Sequence, residues 1–166
     1  MLMTPEEEYA HHFKKMNEIC VAQNWGDPFS YARSKEILAA NALGHTIANT
    51  FSGADAFNQD GKPVEYKSTT GPKVQGSYTG ISVHSDWEGQ ERYLREDKIG
   101  KYEEHYFNRF GNGQLVESWM MSGQDVLNIL LPKLRSKFST VLLNKDPRLS
   151  ANITNSEIRK FGKRVL

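Results

Sequence analysis

Gly53-Ala54-Asp55-Ala56-Phe57-Asn58-Gln59-Asp60-Gly61-Lys62-Pro63-Val64-Glu65-Tyr66-Lys67-Ser68-Thr69 predicts two short strands joined by a polar turn. Asn58 and Asp60 are residue types that bond back to their own backbone, and Gly61 accepts a positive φ, which places the turn between Asn58 and Gly61. From Lys62 to Thr69 the chain alternates with period two, with Val64 and Tyr66 as the apolar members. On such a strand Glu65 and Lys67 point to the same face. Asp55 precedes the turn on the partner strand and falls beside them. The hairpin therefore gathers two carboxylates and one ammonium into a small patch.

That set of groups suits metal-assisted phosphodiester hydrolysis. Two hard oxygen ligands can hold Mg²⁺, which keeps its other positions for water and a phosphate oxygen. The metal polarises the phosphorus centre and acidifies water. A lysine beside it orients or deprotonates the nucleophile, or neutralises charge developing on the phosphate. The plain alternative is a surface hairpin whose Asp, Glu and Lys form cross-strand salt bridges.

The pattern Asp55…Glu65-x-Lys67, with Gly53-Ala54-Asp55-Ala56 leading into Val64-Glu65-Tyr66-Lys67, resembles the active-site signature of the PD-(D/E)XK nucleases, the restriction-endonuclease-like superfamily. The likeness covers about residues 34–121 and includes a preceding helix that carries Glu36. The signature's proline before the aspartate is Ala54 here, a replacement common in the group. The resemblance implies an α/β fold, a restriction-endonuclease-like core with a mixed central β-sheet flanked by α-helices. It also implies Mg²⁺ on Asp55 and Glu65, Lys67 serving the attacking water, and cleavage of double-stranded DNA to leave a 5′-phosphate. Glu36 keeps two readings: a third carboxylate assisting the metal, or a first-turn acid favoured by the helix dipole. A chain this short is most similar to a compact type II restriction endonuclease, a class that often dimerises so that its two-fold matches a palindromic site. A structure-selective phage or repair nuclease, such as a junction resolvase, would carry the same site. A non-catalytic DNA-binding module of the same fold is the reading from another class, and the intact Asp, Glu and Lys set stands against it.

Composition fits a single globular domain spanning residues 1–166, with ordinary apolar and charged fractions. No apolar run approaches a membrane span, and the N-terminus lacks the layout of a signal peptide. The single cysteine, Cys20, excludes an internal disulfide and fits a reducing cytoplasm. Net charge is +1, unevenly spread: nine Lys and Arg stand against two acids between residues 133 and 166, so the rest of the chain is acidic. A basic C-terminal segment on an acidic body suits phosphate backbones, although a solvated tail has the same composition.

Elsewhere, Thr4 caps a first helix with Pro5 at its start and Glu6 to Glu8 in its first turn. Its stripe of Tyr9, Phe13, Met16, Ile19 and Cys20 is expected to face the core. A second helix from Ser30 or Ser34 to Leu43 stops at Gly44, with Ile37, Leu38, Ala40 and Leu43 inward. A strand is expected from His45 to Phe51, and Thr70 to Ser77 reads as a loop whose Lys73 and Gln75 are candidate DNA contacts. A further strand covers Tyr78 to Ser85, and Trp87 to Gly100 is charged and helical or irregular. Gly111-Asn112-Gly113 turns a second hairpin, Glu103 to Phe110 with Gln114 to Met121, with Phe107, Leu115, Trp119 and Met121 on one buried face. His105 and Arg109 on that hairpin are possible phosphate contacts. Ser122 and Asp125 open a helix that Pro132 should kink or divide, carrying Lys133 and Arg135 as further candidate DNA contacts. Thr154-Asn155-Ser156-Glu157 is a capping box for a last short helix closed by Gly162.

Overall fold

Buried and polar side chains alternate along one central strand, and the rest of the molecule is layered on its two faces. The computed structural model describes residues 2–49 and 53–166. In chain order it has helices α1 (Pro5–Ala22) and α2 (Arg33–Leu43), then strands β1 (Thr46–Ile47), β2 (Ala56–Phe57), β3 (Pro63–Thr69) and β4 (Gly76–Ser82). Helix α3 (Trp87–Tyr93) runs into a π-helical turn (Leu94–Lys98). Strands β5 (Glu104–Gly111) and β6 (Gln114–Ser122), helix α4 (Gly123–Val141), strand β7 (Arg148–Ile153), helix α5 (Asn155–Phe161) and strand β8 (Lys163–Arg164) complete the chain.

The main sheet has the order β1-β2-β3-β5-β6-β8. Among the described residues only β3 and β5 run parallel, and every other pairing in this sheet is antiparallel. The result is a mixed α/β fold with a mostly antiparallel sheet flanked by helices. Strands β4 and β7 form a separate antiparallel ribbon, which the sequence reading did not foresee.

One face of the sheet buries Val64, Tyr66 and Tyr106 against Ala39 and Ala40 of α2 and Ile47 of β1. The other buries Phe107 and Met121 against Ile81, Leu149 and Ile153 of the ribbon and Leu130 and Leu134 of α4. The ribbon approaches closely because β4 begins at a glycine: a Cβ on Gly76 would lie 2.3 Å from Phe107 Cε1 and 3.3 Å from Lys67 Cβ. Two turns form as their residues require. Asn58 Oδ1 accepts from the backbone of Asp60 and Lys62, with Gly61 at φ +76°. Asn112 and Gly113 both take positive φ in the β5–β6 hairpin.

Several expectations are corrected. Along α1 only Cys20 is buried; Tyr9, Met16 and Ile19 are exposed, so most of that stripe does not face the core. On α2 Ile37, Ala40 and Leu43 face the core as expected, Ala39 joins them, and only Leu38 points outward. Among the described residues the strand expected over 45–51 covers Thr46–Ile47, and residues 50–52 lie outside the described ones. In the second hairpin a register shift between Arg109 and Phe110 sends Leu115 to the core opposite that of Phe107, Trp119 and Met121. Helix α4 runs undivided through Pro132. The proline deprives the Asn128 carbonyl of its helical partner, but both residues are exposed, so that carbonyl is left open to solvent rather than buried. Burial of Leu127, Leu130, Leu131 and Leu134 holds the helix together. At the C-terminus, Ser118 accepts from Val165 N at 2.9 Å and donates to the Leu166 carbonyl at 3.2 Å, extending the pairing of β8 on β6.

The close approach at Gly76 gives a direct test. Gly76→Ala should cost about 1–3 kcal/mol through overpacking against Phe107, read as a lower urea midpoint at unchanged slope; unaltered stability would mean that the ribbon sits farther from the sheet.

Candidate active site

Asp55 is fixed by the start of the hairpin. Its N–H donates to the Val64 carbonyl at 3.2 Å, and its carboxylate accepts from the Tyr66 N–H at 2.7 Å. The side chain is thereby held along β3, as the sequence pattern implied. Gly53, at φ +88°, bends the chain into this position, and its carbonyl accepts a hydrogen bond from the Tyr102 hydroxyl.

Glu65 and Lys67 project from the face of β3 that looks toward the ribbon. Their side chains are 20% and 21% exposed, and Lys67 Nζ donates to Glu65 Oε1 at 2.5 Å. The same ammonium lies over the ring of Tyr78 on β4, 4.7 Å from its centre. His105, opposite Glu65 in the parallel register, is fully buried. The Ile99 carbonyl only accepts, so His105 Nε2 is the protonated nitrogen bonded to it at 3.1 Å. His105 Nδ1 then accepts from the Tyr78 hydroxyl at 2.9 Å. This chain holds the Tyr78 ring under Lys67.

Together these groups wall a cleft of about 350 Å³, with Asp55, Glu65 and Lys67 on one side and Lys98, Lys101 and Tyr102 on the other. The π-helical turn delivers Lys98 to this wall; turns of this kind recur at functional sites. The cleft thus combines two carboxylates with three ammonium groups, a balance suited to a cation bridging to an anionic substrate. A second cleft of about 450 Å³ lies on the far side of Asp55, lined by Trp25, Tyr31, Arg33, Glu36 and Asn49. Glu36 faces it from the first turn of α2 and pairs with Arg33 at 3.0 Å. Arg33 is itself buried and donates to the carbonyls of Trp25, at 2.6 Å, and Ala48.

Electrostatics set Asp55 apart. Burial, then the negative charges of Glu65 and Glu36, push its carboxyl up to about 7; the Tyr66 N–H and Lys67 pull the other way. A carboxyl crowded by two others is a group whose charged form a divalent cation would stabilise, so the donor set fits one. Asp55 and Glu65 are the residues that would hold it. Among the described residues no three His, Cys, Asp or Glu side chains are grouped as a ready cation cage. Burial holds the His105 imidazole down at about 4, so it is neutral and acts as a buried brace. The expectation that it contacts phosphate is corrected by its full burial.

The other expected DNA contacts lie away from this cleft. Lys73 and Gln75 are exposed in the loop after β3. Arg109 pairs with Glu117 at 3.0 Å, Lys133 ties α4 to Glu157 at 2.7 Å, and Arg135 lies over the Trp87 ring at 5.6 Å. Sequence reasoning missed Tyr78, Lys98, Lys101 and Tyr102. Tyr78 carried a signal, its place in an alternating strand, whereas the lysines reach the cleft through a π turn that periodicity does not mark. No family model matches the chain, and no curated protein is detectably similar to it.

The two shifted groups act in opposite directions on stability. His105 titrates at about 4 when folded against an ordinary 6.5, so the unfolded chain takes up more protons between those values and stability falls as pH drops through them. Asp55, raised from 3.8 to about 7, binds its proton in the folded state, and stability falls as pH rises through that window. Between roughly pH 4 and 6.5 the effects offset. Asp55→Asn should unmask the histidine: urea unfolding of the variant should lose up to about 3 kcal/mol from pH 6.5 to 4, where the parent is flatter. Equal slopes for the two proteins would refute the Asp55 shift, and a flat variant the His105 shift.

Proposed function

We propose that this chain is a Mg²⁺-dependent deoxyribonuclease with a restriction-endonuclease-like core, acting on double-stranded DNA. The observation that carries the reading is the convergence of Asp55, Glu65 and Lys67 on one lysine-lined cleft in the middle of a mixed sheet. A bound Mg²⁺ would supply Lewis acidity and a more acidic water. Asp55 and Glu65 would hold the cation, and the backbone N–H of Tyr66 fixes the Asp55 carboxylate in place for that role. Lys67, steadied between Glu65 and the Tyr78 ring, presents its ammonium where negative charge builds on the phosphate and orients the attacking water. Lys98 and Lys101 draw the phosphate backbone against the opposite wall. Glu36, paired to Arg33 beside the second cleft, tunes the charge on Asp55. Among the described residues no helix is long and apolar enough to cross a membrane.

Incubation with plasmid and Mg²⁺ tests the reading. The parent should cleave and EDTA should stop it; Glu65→Ala and Lys67→Ala should each lose at least about a hundredfold in rate while keeping their folded circular-dichroism spectra. Full cleavage by both variants, or none by the parent with any divalent cation, would reject the assignment. Discrete fragments would mark a sequence-specific restriction enzyme, and cutting confined to branched or single-stranded DNA a structure-selective nuclease.

A further inference from the structure

The second cleft, of about 450 Å³, shares Gly53 and Asp55 with the first, so the two open side by side across one wall. Its volume lies in the range of small-molecule sites. Among the described residues it is walled by two aromatic rings, those of Trp25 and Tyr31. Tyr31 is fully exposed and holds φ +49°, in the left-handed region that suits glycine and costs a bulky residue. Neither burial nor backbone preference accounts for a tyrosine there. The loop that carries it is nevertheless stitched down. The Trp25 N–H donates to the Cys20 carbonyl at 2.8 Å, Asp27 Oδ1 accepts from the Phe29 N–H at 2.9 Å, and the Ser34 hydroxyl donates to the Pro28 carbonyl at 2.7 Å. Buried Arg33 adds a clamp between the Trp25 and Ala48 carbonyls. Both rings are therefore placed before a ligand arrives, which lowers the entropy lost on binding.

Charge decides what kind of group fits. The Arg33 guanidinium is committed to those two carbonyls and to Glu36 Oε2. Among the described residues the other charged side chains lining the cleft are the carboxylates of Asp27, Glu36 and Asp55. A phosphate would meet net negative charge and no spare cation. A flat neutral ring with amino donors meets two aromatic faces and carboxylate acceptors instead. Asn49, on the same wall, can donate to and accept from one base edge at once. We propose that this cleft takes a single nucleobase of the cleaved strand, unstacked from its neighbours, while the adjoining phosphate lies in the lysine-lined cleft. Stacking on Trp25 and Tyr31 offsets the cost of unstacking. The inference rests on the nuclease reading for the strand it invokes, and its readout is binding rather than cleavage.

Titration of the full chain with a single-stranded oligo(dA) octamer, at low salt with Ca²⁺ in place of Mg²⁺, should quench tryptophan emission. Trp25→Phe should abolish the quench, since Trp87 and Trp119 line neither cleft. An abasic octamer with the same number of phosphates should bind about tenfold more weakly. Tyr31→Gly should weaken oligo(dA) binding about tenfold and leave the abasic octamer unaffected. Its urea midpoint should be unchanged or higher, because glycine adopts positive φ freely. Equal affinity for the two octamers, a base preference that survives Tyr31→Gly, or a quench that survives Trp25→Phe would each overturn the inference. Any of these in a chain that still cuts plasmid removes the base site alone; no octamer binding and no cleavage removes the nuclease reading with it.

Discussion

The hydrogen bond from the Tyr66 N–H to Asp55 is the constraint on which the cleft depends. Tyr66 belongs to β3 and Asp55 immediately precedes β2; those strands pair over only two positions, too few to fix a side chain by themselves. The carboxylate supplies a further link, taking the place a backbone carbonyl would occupy if the ladder continued. It comes at an electrostatic cost, because the carboxyl is desolvated and close to Glu65 and Glu36. The core beneath absorbs that cost. Val64 and Tyr66 are anchored under α2, so the intervening residues of β3 cannot slip without exposing them.

The opposite face is organised by how near a second layer can come. Gly76 lets β4 settle onto Phe107, and that approach sets the Tyr78 ring beneath Lys67. The Tyr78–His105–Ile99 chain then fixes the ring's tilt by satisfying each buried polar atom in turn. A lysine between a carboxylate and an aromatic face has less freedom than one in water, and the loss of that freedom is met by folding, before any ligand arrives.

The hairpin was legible because its signals are local: a turn rich in Asn, Asp and Gly, an alternating strand, and three chemically matched side chains within 13 residues. The helix caps at Thr4, Ser122 and Thr154 were legible for the same reason. The β4–β7 ribbon was not, because its two strands are far apart in sequence and the alternation of Leu149, Ala151 and Ile153 in β7 was not read as a strand. The exposed seam of α1 was misread as core because periodicity reports that a helix has an apolar side without saying what covers it. The fate of the basic C-terminal segment was hidden likewise: Lys133 and Lys137 stitch α4 to the carbonyls of Asn152 and Ser150, a use that charge counting cannot distinguish from a ligand.

Both margins of the main sheet end in two-residue strands, β1 on one side and β8 on the other. Along β6 the chain's final residues have taken the backbone groups around Ser118 and Trp119, and the strand that does so carries Lys163 and Arg164. A stray strand from another molecule therefore finds few vacant amides to zip onto and meets positive charge where it would dock. On this margin β8 and the residues after it guard the sheet against amyloid-like stacking, and deleting Lys163 to Leu166 would remove that guard.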